Sequence, residues 1–103
     1  MLRLVLTTVS SRKEAERIAR SLVEDRLAAC VNIIPGLTSI YRWQGAVESA
    51  SELLLVIKTS AAHIDRLQAA LLRLHSYELP EFLVLPIDAA SPPYLDWLLS
   101  SLV

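Results

Sequence analysis

The chain has 103 residues, of which 53% are hydrophobic and 20% charged; ten basic and eleven acidic residues leave a formal net charge of -1. That length makes a single domain over residues 1–103, and the even charge balance leaves no basic footprint for nucleic acid. The apolar share exceeds the roughly 45 to 50% of ordinary soluble domains, so a homo-oligomer that covers the surplus is expected.

Met1-Leu2-Arg3-Leu4-Val5-Leu6 is too short for the apolar region of a signal peptide, and no stretch approaches the length of a membrane span. A cytoplasmic protein without a membrane partner is expected. The single cysteine, Cys30, excludes an intrachain disulfide and fits a reducing compartment.

Residues 2–9 read as an aliphatic strand. Ser11-Arg12-Lys13-Glu14 then has the capping-box spacing, and Ala15, Ile18, Ala19, Leu22 and Val23 follow at helical intervals, predicting an amphipathic helix that ends near Arg26. Glu16 and Arg20 stand in the acid-before-base i,i+4 order on its outer face. Residues 29–59 form the dominant feature, two strands each more than ten residues long, folded back at Gln44-Gly45. Strands of about five or six residues are the norm, so a ribbon this long needs cover from outside its own domain. Pro35-Gly36 predicts a bulge or bend that flips which parity faces inward. The unbroken apolar run Leu53-Leu54-Leu55-Val56-Ile57 calls for burial on both sheet faces, one by helices and the other by another subunit.

Ser60 is the expected cap of a second helix, with Ile64, Leu67, Leu71 and Leu74 as its apolar stripe and His75 at its close. Residues 75–81 form a loop, and Pro80 stops helix before a last strand over 82–87, where Pro86 marks an edge or the strand's frayed end. Ser91-Pro92-Pro93 opens a third helix carrying Leu95, Leu98, Leu99 and Leu102. The order β-α-β-β-α-β plus a C-terminal helix predicts an α+β, ferredoxin-like split β-α-β sandwich: an antiparallel sheet with both main helices on one face.

Two glycines in the whole chain cannot write a P-loop or a dinucleotide fingerprint, and no nucleophile elbow or zinc-protease spacing is present. No catalysis and no organic cofactor are expected. His75, Tyr77, Glu78 and Glu81 crowd one loop. They read either as a structural turn, with His75 bonded to helix carbonyls and Glu81 paired to an arginine, or as a nitrogen and oxygen donor set for divalent copper, nickel or zinc. Cys30 reads as a small buried hydrophobe or as a thiolate multiplied by symmetry. Lys58 shares a strand face with Glu52, Leu54 and Val56; it either snorkels to solvent or pairs with a carboxylate such as Glu81. Tyr41 and Trp43 share a parity near the ribbon tip, where they would grip a neighbouring subunit. Trp97 is expected to pack likewise.

Six segments, taken in this order and spacing, resemble the divalent-cation tolerance family CutA over essentially the whole chain: Leu6-Thr7-Thr8, Leu27-Ala28-Ala29-Cys30-Val31-Asn32-Ile33, Ser39-Ile40-Tyr41-Arg42-Trp43-Gln44-Gly45, Leu55-Val56-Ile57-Lys58-Thr59, residues 75–81, and Tyr94-Leu95-Asp96-Trp97. The resemblance implies a homotrimer assembled through the long hairpins, similar in architecture to the PII signalling proteins, with a role in tolerance to copper and other divalent cations. It also implies a cleft between subunits lined by Cys30, Tyr41, Trp43, Glu52, Lys58, His75, Tyr77, Glu78 and Glu81. His75, Glu78, Glu81 and Cys30 are its expected metal ligands and His75 the foremost; the other five would contact a ligand. The alternative is a PII-like signalling or small-molecule module whose inter-subunit clefts hold an anion or metabolite, using Lys58. Two departures stand out. Ser76 occupies a position where the family usually has proline, which loosens His75, and Ala89-Ala90 replaces a frequent glycine.

Overall fold

A computed structural model describes all residues, 1–103. The elements run β1 (Leu2–Val9), α1 (Arg12–Glu24), β2 (Cys30–Trp43), β3 (Ala46–Ser60), a 3-10 turn (Ala61–His63), α2 (Ile64–Leu74), β4 (Leu83–Pro86) and α3 (Pro92–Ser100). The sheet order is β2-β3-β1-β4, antiparallel throughout. This is the predicted split β-α-β arrangement, with Pro86 on an edge strand as expected.

Strand parity divides the side chains between two faces. Val5, Thr7, Val9, Leu55 and Ile57 are fully buried against Ala15, Ile18 and Leu22 of α1 and Leu67 and Leu71 of α2. Their neighbours Leu4, Leu6, Leu54 and Val56 point the other way and remain only half-buried. At one end of that second face, Leu98 and Leu102 of the α3 region cover Leu2 and Ala29. The rest of it is bare.

The ribbon follows from two local devices. Gln44 and Gly45 both have positive φ, 50° and 83°, as a two-residue type I′ hairpin requires to match the twist of its strands. Between Ile34 and Leu37, which pair with Leu54 and Glu52, β2 carries one residue more than β3. Gly36 supplies the positive φ of 80° at this bulge. The bulge inverts parity. Ile34 lies on the face of Leu54, and beyond the bulge the odd positions Leu37, Ser39, Tyr41 and Trp43 take over that face.

β1 covers β3 only from Leu53 onward, so residues 37–43 and 46–52 pair with each other alone. At the usual strand rise this tip projects roughly 20 Å. The extents of 45 × 25 × 23 Å and the radius of gyration of 14.2 Å, against about 13 Å for a compact domain of this size, reflect it.

Three details differ from expectation. Ser11 caps α1 through the Glu14 amide at 3.2 Å, but the Glu14 carboxylate does not return to Ser11; it accepts from the Ser76 amide at 2.8 Å. A tertiary donor buried beside the helix outcompetes a solvent-facing one. Ser60 makes no amide cap; its hydroxyl instead bonds His63 Nδ1 at 2.7 Å. Glu16 pairs with Arg12 at 3.8 Å rather than with Arg20, in an exposed contact that contributes little.

Candidate functional site

The projecting ribbon and the loop after α2 enclose a concave site of about 820 Å³. Thr8, at the end of β1, forms its floor. Ser39, Ile40, Tyr41, Trp43 and Glu52 come from the ribbon, and Tyr77, Glu78, Leu79, Pro80 and Glu81 from the loop. The bulge is what makes the site possible, because it turns Tyr41 and Trp43 onto the same face as Glu52. Thr8 pairs with Leu54, so the site opens onto the bare face of the sheet.

The loop is held by a chain of hydrogen bonds. His75 is buried, and its Nε2 lies 2.8 Å from the carbonyl oxygen of Thr8. A carbonyl only accepts, so Nε2 carries the proton and donates. Nδ1 then offers its lone pair to the Tyr77 amide, which donates to it at 3.1 Å. Both ring nitrogens are thereby committed. Next along, the Ser76 amide donates to Glu14, and the Arg17 guanidinium donates to the Leu74 carbonyl at 3.0 Å. Burial alone would raise the Glu14 pKa, but the Ser76 donors, with lesser help from His75 and Arg17, hold it below the ordinary 4.5.

Within the pocket, Tyr77 Oη donates to Glu52 Oε2 at 2.5 Å. Burial first, then this bond and the charge of Glu52, push the phenol pKa well above its ordinary value. Glu81 is also raised above 4.5, by burial and then by repulsion from Glu52. Glu52 is 7% exposed. The ion pair of the chain is Arg12 with Glu16, and the His75 ring, whose Nδ1 accepts from Tyr77, only approaches Glu14 at 3.7 Å, so no cation compensates Glu52. Three glutamates line the cavity without one lysine, arginine or histidine.

Of the nine residues expected at the site, Tyr41, Trp43, Glu52, Tyr77, Glu78 and Glu81 line one pocket. The other three do not. His75 lies behind the loop wall, where it acts as a brace: a metal could reach its nitrogens only after its bonds to Thr8 or Tyr77 broke. Cys30 and Lys58 sit opposite one another at the far end of the ribbon. There Lys58 Nζ donates to Tyr94 Oη at 3.3 Å and lies 5.7 Å from the centroid of that ring. Lys58 therefore reaches neither Glu81 nor the cavity within one chain, and the expected donor set of His75, Glu78, Glu81 and Cys30 is not assembled. No group of three or more His, Cys, Asp or Glu residues is gathered as a metal cage in a single chain. Glu81 has no arginine partner either. The structural-turn reading of His75 holds in modified form, since the acceptor is a strand carbonyl rather than a helix carbonyl.

Sequence reasoning missed Glu14 as a support of the site, and the signal was ambiguous: the capping-box spacing explains a glutamate at that position equally well. Thr8, Ser39, Ile40, Leu79 and Pro80 lay inside segments already singled out, but nothing in their types marks a cavity wall.

A family model described as CutA1 divalent ion tolerance protein matches residues 3–101. The chain is 54% identical over 94 residues to the divalent-cation tolerance protein CutA of Thermus thermophilus, covering 91% of each chain. It is 43% identical over 98 residues to that of Pectobacterium atrosepticum, covering 95% of this chain and 89% of the other. It spans about half the length of several animal and plant relatives, 51% for the mouse protein CutA. The solved structure of a divalent cation tolerance protein from T. thermophilus superposes with a TM-score of 0.97 at 50% identity, covering all of both chains. A structure described as the periplasmic divalent cation tolerance protein CutA from Archaeoglobus fulgidus gives 0.95 at 36% identity, covering 98% of each chain.

Proposed function

Because the chain belongs to the CutA1 divalent ion tolerance family, we propose that it acts in tolerance to divalent cations by binding them, copper(II) foremost, in the pocket that Glu52 and Glu81 share. The observation that carries this reading is the Glu52 carboxylate, buried without a cation while a second carboxylate is crowded against it. A dication entering there relieves both the desolvation cost and the repulsion. The donor chemistry fits a divalent ion: two carboxylates, with the Glu78 carboxylate on the same wall. These are oxygen donors, and for a given set of them copper(II) heads the first-row order of affinities. His75 supports this pocket from behind rather than ligating the ion.

The reading further includes a cytoplasmic homotrimer and a binding role without catalysis. In support of the assembly, the pocket opens onto the bare apolar face, so copies covering that face would complete its walls. Isothermal titration of chelator-stripped protein with copper(II), zinc(II) and manganese(II) tests the proposal. Copper(II) is expected to bind tightest, Glu52→Gln and Glu81→Gln to weaken it by at least about tenfold, and His75→Ala to weaken it less. Unchanged copper heats in both glutamine variants would remove the pocket from metal binding.

The cavity volume favours a second reading. At about 820 Å³ it lies in the range of small-molecule sites rather than of ion sites, which supports a PII-like binding module. An anionic ligand held by Lys58 has no support within one chain, since Lys58 is committed to Tyr94 at the other end of β3.

A further inference from the structure

Glu52 has two oxygens and one partner. Oε2 accepts from Tyr77, while Oε1 accepts nothing from the chain, although the residue is more than nine-tenths buried and lines the cavity. Oε1 is thus open to the cavity rather than sealed in the core, and a positive counterpart arriving there stabilises the carboxylate. The surrounding walls also offer surface that a bare ion does not use. Tyr41 and Trp43 remain 44% and 38% exposed within a concavity, and Leu79 and Pro80 add apolar surface opposite. Aromatic faces beside unpaired carboxylates attract a cation twice, through the ring quadrupole and through the charge. They also reward an apolar body that a hydrated metal lacks.

We propose that this pocket binds a small organic cation, its ammonium group against Glu52 and Glu81 and its apolar or aromatic body on Tyr41 and Trp43. The inference rests on the second reading, that the cavity is a small-molecule site, and adds the ligand's chemical class. Three glutamates without a basic residue in this chain's share of the lining oppose an anion. A neutral ligand would leave Glu52 uncompensated.

The test is isothermal titration of the chelator-treated full chain, in its native assembly state, with three probes of matched size: phenethylammonium, phenethyl alcohol and phenylpropionate. The expected result is saturable binding of the ammonium, binding of the alcohol weaker by about tenfold or more, and none of the carboxylate. Glu52→Gln, which keeps an acceptor for Tyr77, is expected to abolish the preference for ammonium over alcohol. Trp43→Leu, at the exposed ribbon tip and away from the core, should weaken the ammonium severalfold even if Glu52→Gln does not fold. Equal affinity for alcohol and ammonium would overturn the cation class while leaving the small-molecule reading standing. Failure of all three probes to bind would overturn both. The metal reading is judged separately, by its own titration.

Discussion

Ser76 shows how one residue can substitute for a restraint it lacks. A proline at 76 would hold residue 75 in extended backbone, and His75 is already there, at φ -79° and ψ 140°. What fixes it is bonding: the imidazole spans Thr8 and Tyr77, and the Ser76 amide is spent on Glu14. Ser76→Pro therefore suits the extended backbone of residue 75 but deletes a donor to a buried carboxylate. Hydrogen bonds to charged groups contribute about 1.5–3 kcal/mol, and the stiffer unfolded chain returns about 0.4–1 kcal/mol, so a net loss of about 1–2 kcal/mol is expected at pH 7. The pH dependence follows from the lowered Glu14 pKa. A depressed carboxylate contributes stability above its unfolded value, near 4.5, and loses it as pH falls through the folded value. The deficit of Ser76→Pro should thus persist above pH 4.5 and narrow below it, as denaturation at fixed protein concentration would show; a pH-independent deficit would mean that Glu14 is not the partner that matters. The sequence offered a hydrogen-bonded His75 as one of two readings but could not name its partners, because the deciding acceptor, the carbonyl of Thr8, lies 67 positions away.

At the scale of elements the sequence was far more legible, because the signals are local. Period fixed the helices, Gln44-Gly45 the hairpin, and Pro35-Gly36 the bulge with its parity inversion. Where α1 stops was only approximate, since the end carries no glycine. It closes nonetheless as a Schellman motif: Leu27 N–H donates to the Leu22 carbonyl at 3.0 Å and Arg26 N–H to that of Val23 at 3.1 Å. Arg26 takes the left-handed position at φ 58°, which costs a residue with a Cβ roughly 1–2 kcal/mol. Arg26→Gly should stabilise the protein by about 0.5–1 kcal/mol after the entropy of a glycine in the unfolded chain is subtracted. Thermal denaturation checks this, and a lower midpoint would show that the arginine side chain contributes more than its backbone costs.

The whole molecule leaves a contradiction that one chain cannot resolve. Leu6, Leu54 and Val56 form a stripe on the face away from α1 and α2, flanked by Ile34 at 46% exposure and by Leu83 and Leu85 at 53% and 39%. On the opposite face of the ribbon tip, Ile40 and Val47 are 73% and 66% exposed. Apolar surface on both the sheet and its extension is more than soluble monomers ordinarily present, and it matches the excess that the composition and the ribbon length require covering. A closed ring of three copies would cover it with identical surfaces and leave no free stripe, at the same stroke walling the cavity beside Glu52. Light scattering after size exclusion is expected to give three times the chain mass of 11.4 kDa. Val56→Lys puts a charge at the centre of the stripe, where Val56 pairs with Leu6 and Asn32 and stays clear of the core packed under the helices. It should dissociate the assembly while circular dichroism stays that of the folded chain. A wild-type monomer would refute the covering argument outright, and an intact trimer of Val56→Lys would move the interface to the ribbon tips alone.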